Sequence, residues 1–126
     1  MKDQKIIIDE FTLLPQSYQD VILNIPIGID NAIPTRIIAE NTGQKPRAIR
    51  SKIHHLIKKY EVPICANRLG EAKGMYIPRN HSELQQGIAQ LQSQVDREIE
   101  RLEQVKNSDI DSAIIRKWVI DPNGWN

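Results

Sequence analysis

The sequence predicts a mainly α-helical fold with one small β-hairpin, followed by a long C-terminal helix. Three observations predict it. Apolar residues recur at helical spacing in short stretches within residues 17–60. Two segments rich in β-branched and aromatic residues follow at 62–66 and 74–78, with a glycine-containing loop between them. From Ser82 to about Lys106 there is no proline and a single glycine, and apolar residues keep a heptad spacing. A chain of 126 residues suits one domain plus an extension. The divisions expected are an arm over 1–16, the domain over 17–80, the long helix over 82–107, and a short helix with a tail over 108–126.

Taken in order, residues 1–16 mix the apolar run Ile6-Ile7-Ile8 with Asp9, Glu10 and Pro15, which suits a short strand or an ordered arm. Ser17 reads as a helix N-cap, with Asp20 in the first turn, where a negative group is favoured. Tyr18, Val21, Ile22 and Ile25 form one apolar stripe, and Pro26 and Gly28 stop the helix. Residues 27–31 read as a loop. Pro34 and Thr35 open a second helix that turns Ile38, Ala39 and Thr42 inward and ends at Gly43. Pro46 opens a third, running to about Tyr60.

The third helix carries most of the functional signal. At 100° per residue, Ile49, Ile53, Leu56, Ile57 and Tyr60 share one side. Arg47, Ser51, His54, His55 and Lys58 lie opposite, flanked by Arg50, Lys52 and Lys59. No acid occurs between Asn41 and Tyr60. A helix kept only for solubility mixes signs, because opposite charges at i,i+4 stabilise it and like charges cost a few tenths of a kcal/mol per pair. The overall charge of +1 hides this, since residues 41–79 sum to +7 and each flanking part to −3. A basic middle between acidic ends points to a local anionic partner, nucleic acid or a membrane surface.

Val62 to Ala66 and Gly74 to Pro78 read as the strands of a hairpin, with Pro63 confining the first to an edge. The loop from Asn67 to Lys73 carries Arg68 and Lys73 as a basic tip. Ser82 and Gln85 read as a capping box for the long helix. Leu84, Ile88, Leu91, Val95, Leu102 and Val105 form its seam, with Glu98 at one core position. Two uses of that seam stay open, pairing of two chains and packing back on the first helix.

Helix, helix–turn–helix and basic hairpin is the order of a winged helix-turn-helix. Asn31 to Gly43 followed by Pro46 to Leu56 resembles the motif itself, with Ala39 at the helix crossing and Gly43 in the turn. Gly74-Met75-Tyr76-Ile77 is similar to a G-x-Y-x wing strand. The stretch from about Val21 to Glu103 resembles a winged-helix group of Gram-positive phages, prophages and plasmids, many of them replication or regulatory proteins. Lys45-Pro46 in place of a Ser or Thr cap, and Asn41 where leucine is common, depart from that pattern.

The resemblance implies double-stranded DNA as partner, a homodimer, and a role as a transcriptional regulator or an origin-binding factor of a mobile element. It would set helix 46–60 in the major groove, with Arg47, Ser51 and His54 towards base edges and Arg50 at the rim. Lys45, Lys52, Lys58 and Lys59 would meet phosphate, as would Thr35 at its helix N-terminus. Arg68 and Lys73 would reach the backbone or the minor groove. A different class of function, a protein-interaction adaptor, would use the long helix and the C-terminal segment with Trp118 and Trp125.

Other chemistries find little support. His54 and His55 are adjacent and point about 100° apart on a helix, so they cannot chelate one ion together. Cys65 and His81 match no zinc spacing, and neither a P-loop nor G-x-G-x-x-G occurs. An enzyme, a cofactor and a metal are therefore not expected. One cysteine excludes an internal disulfide and suits a reducing compartment; with the resemblance, which implies a bacterial host, the expected location is the bacterial cytoplasm. Apolar runs of only three residues argue against a membrane span, and Asp109 and Asp111 against surface association through Ile110 to Val119.

Overall fold

A computed structural model of the chain describes residues 10–109. The chain divides into two compact units, residues 1–92 and 93–126. The described residues are mainly helical, with one two-stranded antiparallel sheet and a long helix after it. The elements are α1 (Gln16–Leu23), a 3-10 turn (Ile29–Asn31), α2 (Thr35–Thr42), α3 (Pro46–Tyr60), β1 (Cys65–Asn67), β2 (Gly74–Tyr76) and α4 (His81–Lys106).

The core of the first unit is built where the helical stripes meet. Val21 of α1, Ile25 just beyond it, Ile38 and Ala39 of α2, and Ile49, Ile53 and Leu56 of α3 are buried together with Leu14 and Ile64. Ile57, expected on this side, is 42% exposed, because it lies at the edge of the apolar arc. Gly43 closes α2 in the left-handed conformation, φ 69°, as the cap requires. Pro46 occupies the first turn of α3, where its missing N–H costs no intrahelical bond.

Several local expectations are corrected. Within the arm expected over 1–16, residues 10–13 are helical; the run Ile6-Ile7-Ile8, which suggested a short strand, lies outside the described residues. Pro15, not Ser17, precedes α1 at the cap, and no side chain caps that helix. Asp20 instead accepts from Gln16 Nε2 at 2.8 Å. The long helix begins at His81, and its cap is Asn80, whose Oδ1 accepts from Glu83 N at 2.9 Å. The Ser82–Gln85 box is thus displaced by a better-placed amide two residues earlier. The helix and tail expected over 108–126 fall almost wholly outside the described residues.

The strands are shorter than expected, three residues each, and pair Cys65 with Tyr76, Ala66 with Met75 and Asn67 with Gly74. Pro63 lies before the first strand. The segment read as a loop over 27–31, together with Ile33 just beyond it, extends the pairing on the other side of β2. Ile33 and Met75 exchange backbone hydrogen bonds of 2.7 and 3.2 Å, and Gly28 N donates to Ile77 O at 2.9 Å. β2 is therefore flanked on both sides. This crossing explains Gly74, whose φ is 132° and where an added Cβ would lie 2.0 Å from Ile33 O.

The start of α4 closes over the hairpin through Glu83 and Gly87, both buried. A Cβ at Gly87 would lie 2.7 Å from Cys65 Sγ. The fully buried Tyr76 donates its hydroxyl proton to Glu83 O at 3.1 Å. Glu83 accepts from the backbone N–H of Ile29 and Arg79, at 3.2 and 2.9 Å. One carboxylate thereby ties the 3-10 turn, the end of the hairpin and the head of α4.

Burial pushes the Tyr76 phenol up to about 12 and also raises the Cys65 thiol. The folded state therefore holds these protons more tightly than the unfolded chain. That stability is fully present below the ordinary values, near 9.0 and 10.0, and is lost as pH rises towards about 12. Thermal melts should show a decline in stability beginning near pH 9, and Tyr76→Phe should flatten its upper part. An equally steep decline in Tyr76→Phe would contradict this assignment.

Candidate nucleic-acid interface

The core contacts of α3 decide which of its side chains are free. Ile49, Ile53 and Leu56 face inward, so Arg47, Arg50, Ser51, His54 and Lys58 emerge on the opposite arc, and all five are exposed. Arg47, Arg50, His54 and Lys58 follow at intervals of three and four residues and form one polar row that carries three cations. At 1.5 Å per residue it is about 16 Å long. Among the described residues, none of these side chains joins an ion pair. Ion pairs do form elsewhere among the described residues, as between Arg79 and Asp30, Arg79 and Glu83, and Lys106 and Glu103.

Lys52 and Lys59 lie apart from this row. Lys52 is half-buried; its Nζ donates to Gln44 Oε1 and stands 5.8 Å from the Tyr18 ring centre. Lys59 Nζ lies 5.4 Å over the Tyr60 ring. Both turn towards their own flank of the helix, held by neighbouring polar and aromatic groups. His55, expected on the polar side, shares a hydrogen bond of 2.9 Å with the Tyr18 hydroxyl and packs edge-on against that ring.

Lys45 is exposed at the cap position of α3, which has no side-chain cap. Thr35 is the half-buried first residue of α2, with the exposed Arg36 beside it. Arg36 is a cation that pattern reading passed over, since a single charge on a short helix carries no periodic signal.

Arg68 and Lys73 are exposed at the two ends of the hairpin loop. The loop is held from inside by the buried Asn67. Its Nδ2 donates to Leu69 O and Ala72 O, at 2.8 and 2.6 Å, and its Oδ1 accepts from Leu69 N at 3.3 Å. Gln90 of α4 completes the clamp, donating to Asn67 Oδ1 and accepting from Arg68 N, each at 2.9 Å. The Asn67 turn is a recognisable local pattern, because Asn bonds readily to backbone two residues on. Gln90 has no such signal, since its partner is a loop 22 residues away.

Among the described residues, no cluster of three or more His, Cys, Asp or Glu side chains could hold a metal ion. No helix there is long and apolar enough to cross a membrane. No known family model, curated protein or solved structure matches the chain.

Proposed function

We propose that the chain is a sequence-specific double-stranded DNA-binding protein of the winged helix-turn-helix type. In this reading it acts as a transcriptional regulator or an origin-binding factor of a mobile element. The observation that carries it is the exposed row Arg47, Arg50, His54 and Lys58, free of acids along the whole of α3. Such a row is self-repelling in isolation and is relieved by an anion of matching length. The major groove, about 12 Å wide, admits one helix, with phosphates along both rims.

Arg47, Ser51 and His54 then face base edges, and Arg50 stands at the rim. An arginine bidentate to guanine O6 and N7 discriminates by about 1–3 kcal/mol. Lys45 and Lys58 meet phosphate and set register rather than sequence. Arg68 and Lys73 on the clamped loop take the adjacent backbone or minor groove. Because the loop is already held by Asn67 and Gln90, little ordering entropy is lost when they bind. Lys52 and Lys59 contribute from the margin, with Lys52 also bracing α3 against Tyr18.

Selection of bound sequences from a random duplex pool tests this reading. The expected result is enrichment of a short motif containing guanine. A bound pool no different from the input would contradict sequence-specific recognition.

A further inference from the structure

We infer that α4 docks on a second copy of this chain as an antiparallel helix pair, with Ile88 facing Val105, Leu91 facing Leu102 and Val95 facing Glu98 across the seam. The inference does not rest on DNA binding.

The inward side of α4 is occupied by Glu83, Gly87 and the half-buried Gln90. The apolar row lies about 100° round the helix from them. Ile88, Leu91, Val95, Ile99, Leu102 and Val105 are all exposed, from 42% at Val95 to 64% at Val105. Single exposed apolar residues need no explanation, but a continuous row of six, five at a and d positions and Ile99 beside Glu98, does.

The area is of the right order. At roughly 100 Å² of apolar surface each, six side chains offer about 600 Å² per copy. The stems of flanking glutamines and arginines bring this towards the ~800 Å² per partner of a standard interface.

Charge decides the orientation. With Leu84, Leu91, Glu98 and Val105 at d positions and Ile88, Val95 and Leu102 at a positions, a parallel pair sets Glu98 against Glu98 at the core. It also sets Arg101, at a g position, against Lys106, at the following e position of the other copy. Both contacts join like charges, which an interface of this kind disfavours. Running the helices antiparallel removes the second and eases the first, because the two Glu98 side chains then sit one layer apart, about 4.5 Å along the axis, instead of face to face. Glu98 then meets Val95 and can turn its carboxylate outward to water, while Arg101 and Lys106 lie opposite glutamines. The register is set by centring on the exposed row from Ile88 to Val105, since Leu84 is already half-buried.

Sedimentation equilibrium of the full chain at tens of micromolar, without DNA, tests the pairing. A dimer is expected, and Leu91→Glu or Leu102→Glu should weaken it at least 100-fold. Both sites are exposed in the single chain, so helical circular dichroism should persist in these variants.

Orientation is read by disulfide formation in a Cys65→Ala background. A mixture of Leu91→Cys and Leu102→Cys chains should cross-link to each other, and each alone only weakly. A monomer at this concentration, a dimer unaffected by Leu91→Glu, or predominant cross-linking of each variant with itself would overturn the inference.

Discussion

Reversing charge on α3, through Arg47→Glu, Arg50→Glu and Lys58→Glu together, is expected to weaken duplex binding at least about 100-fold, because three attractive contacts become three repulsive ones. All three side chains are exposed, so folding should survive, and thermal melting checks that it has. Separate variants sort the roles. Arg47→Ala should lose discrimination at one base position, by about 1–3 kcal/mol. Lys58→Ala should weaken binding to every duplex alike, since a phosphate contact carries no sequence. Unchanged affinity in the triple variant, with the fold intact, would place the interface elsewhere.

The largest expected stability effect belongs to Gly74. A methyl group there would lie 2.0 Å from Ile33 O and 2.5 Å from Pro34 N, both main-chain atoms that cannot rotate away. Relief requires opening the Ile33–Met75 bridge, with its two hydrogen bonds, or distorting a φ of 132° that side chains rarely adopt. We expect Gly74→Ala to cost about 3 kcal/mol or more, from backbone strain and lost hydrogen bonds combined. In a domain of this size that lowers the melting temperature by roughly 15 °C. Gly70→Ala is the control. Its φ is 75°, but nothing lies within 4 Å of the added atom, so strain alone should cost about 1 kcal/mol. Equal effects at the two sites would show that the crossing at Ile33 is not what demands glycine at 74.

These two positions also mark what could be read from sequence and what could not. The helices of the first unit and the basic face were legible because they depend on local periodicity. The spacing of Ile49, Ile53 and Leu56 sets which side of α3 is buried, and the cations then have one side left. Gly74 was legible only as a residue type. Its reason is a contact with Ile33, 41 positions earlier, and no local pattern announces that segment 27–33 pairs with β2.

Capping failed for a related reason. Ser82 and Gln85 satisfy a motif, yet Asn80 is the residue whose amide meets a free N–H. Lys52 and His55 were placed by helical angle alone, which cannot register that Tyr18 and Gln44 lie alongside. The seam on α4 was legible as a pattern. What covers it depends on contacts that no local pattern carries.

In the proposed reading the acid-free face of α3, helped by the hairpin loop, binds the phosphate-lined groove of a duplex. The dependence of affinity on salt tests it most directly. Titration of random-sequence duplex between about 50 and 200 mM monovalent salt should give a straight log–log plot. With roughly five cations on phosphate, its slope should be about −4 to −5, and it should flatten in the triple glutamate variant. A wild-type affinity that stays constant across that range, or a slope that the triple variant leaves unchanged, would contradict the account.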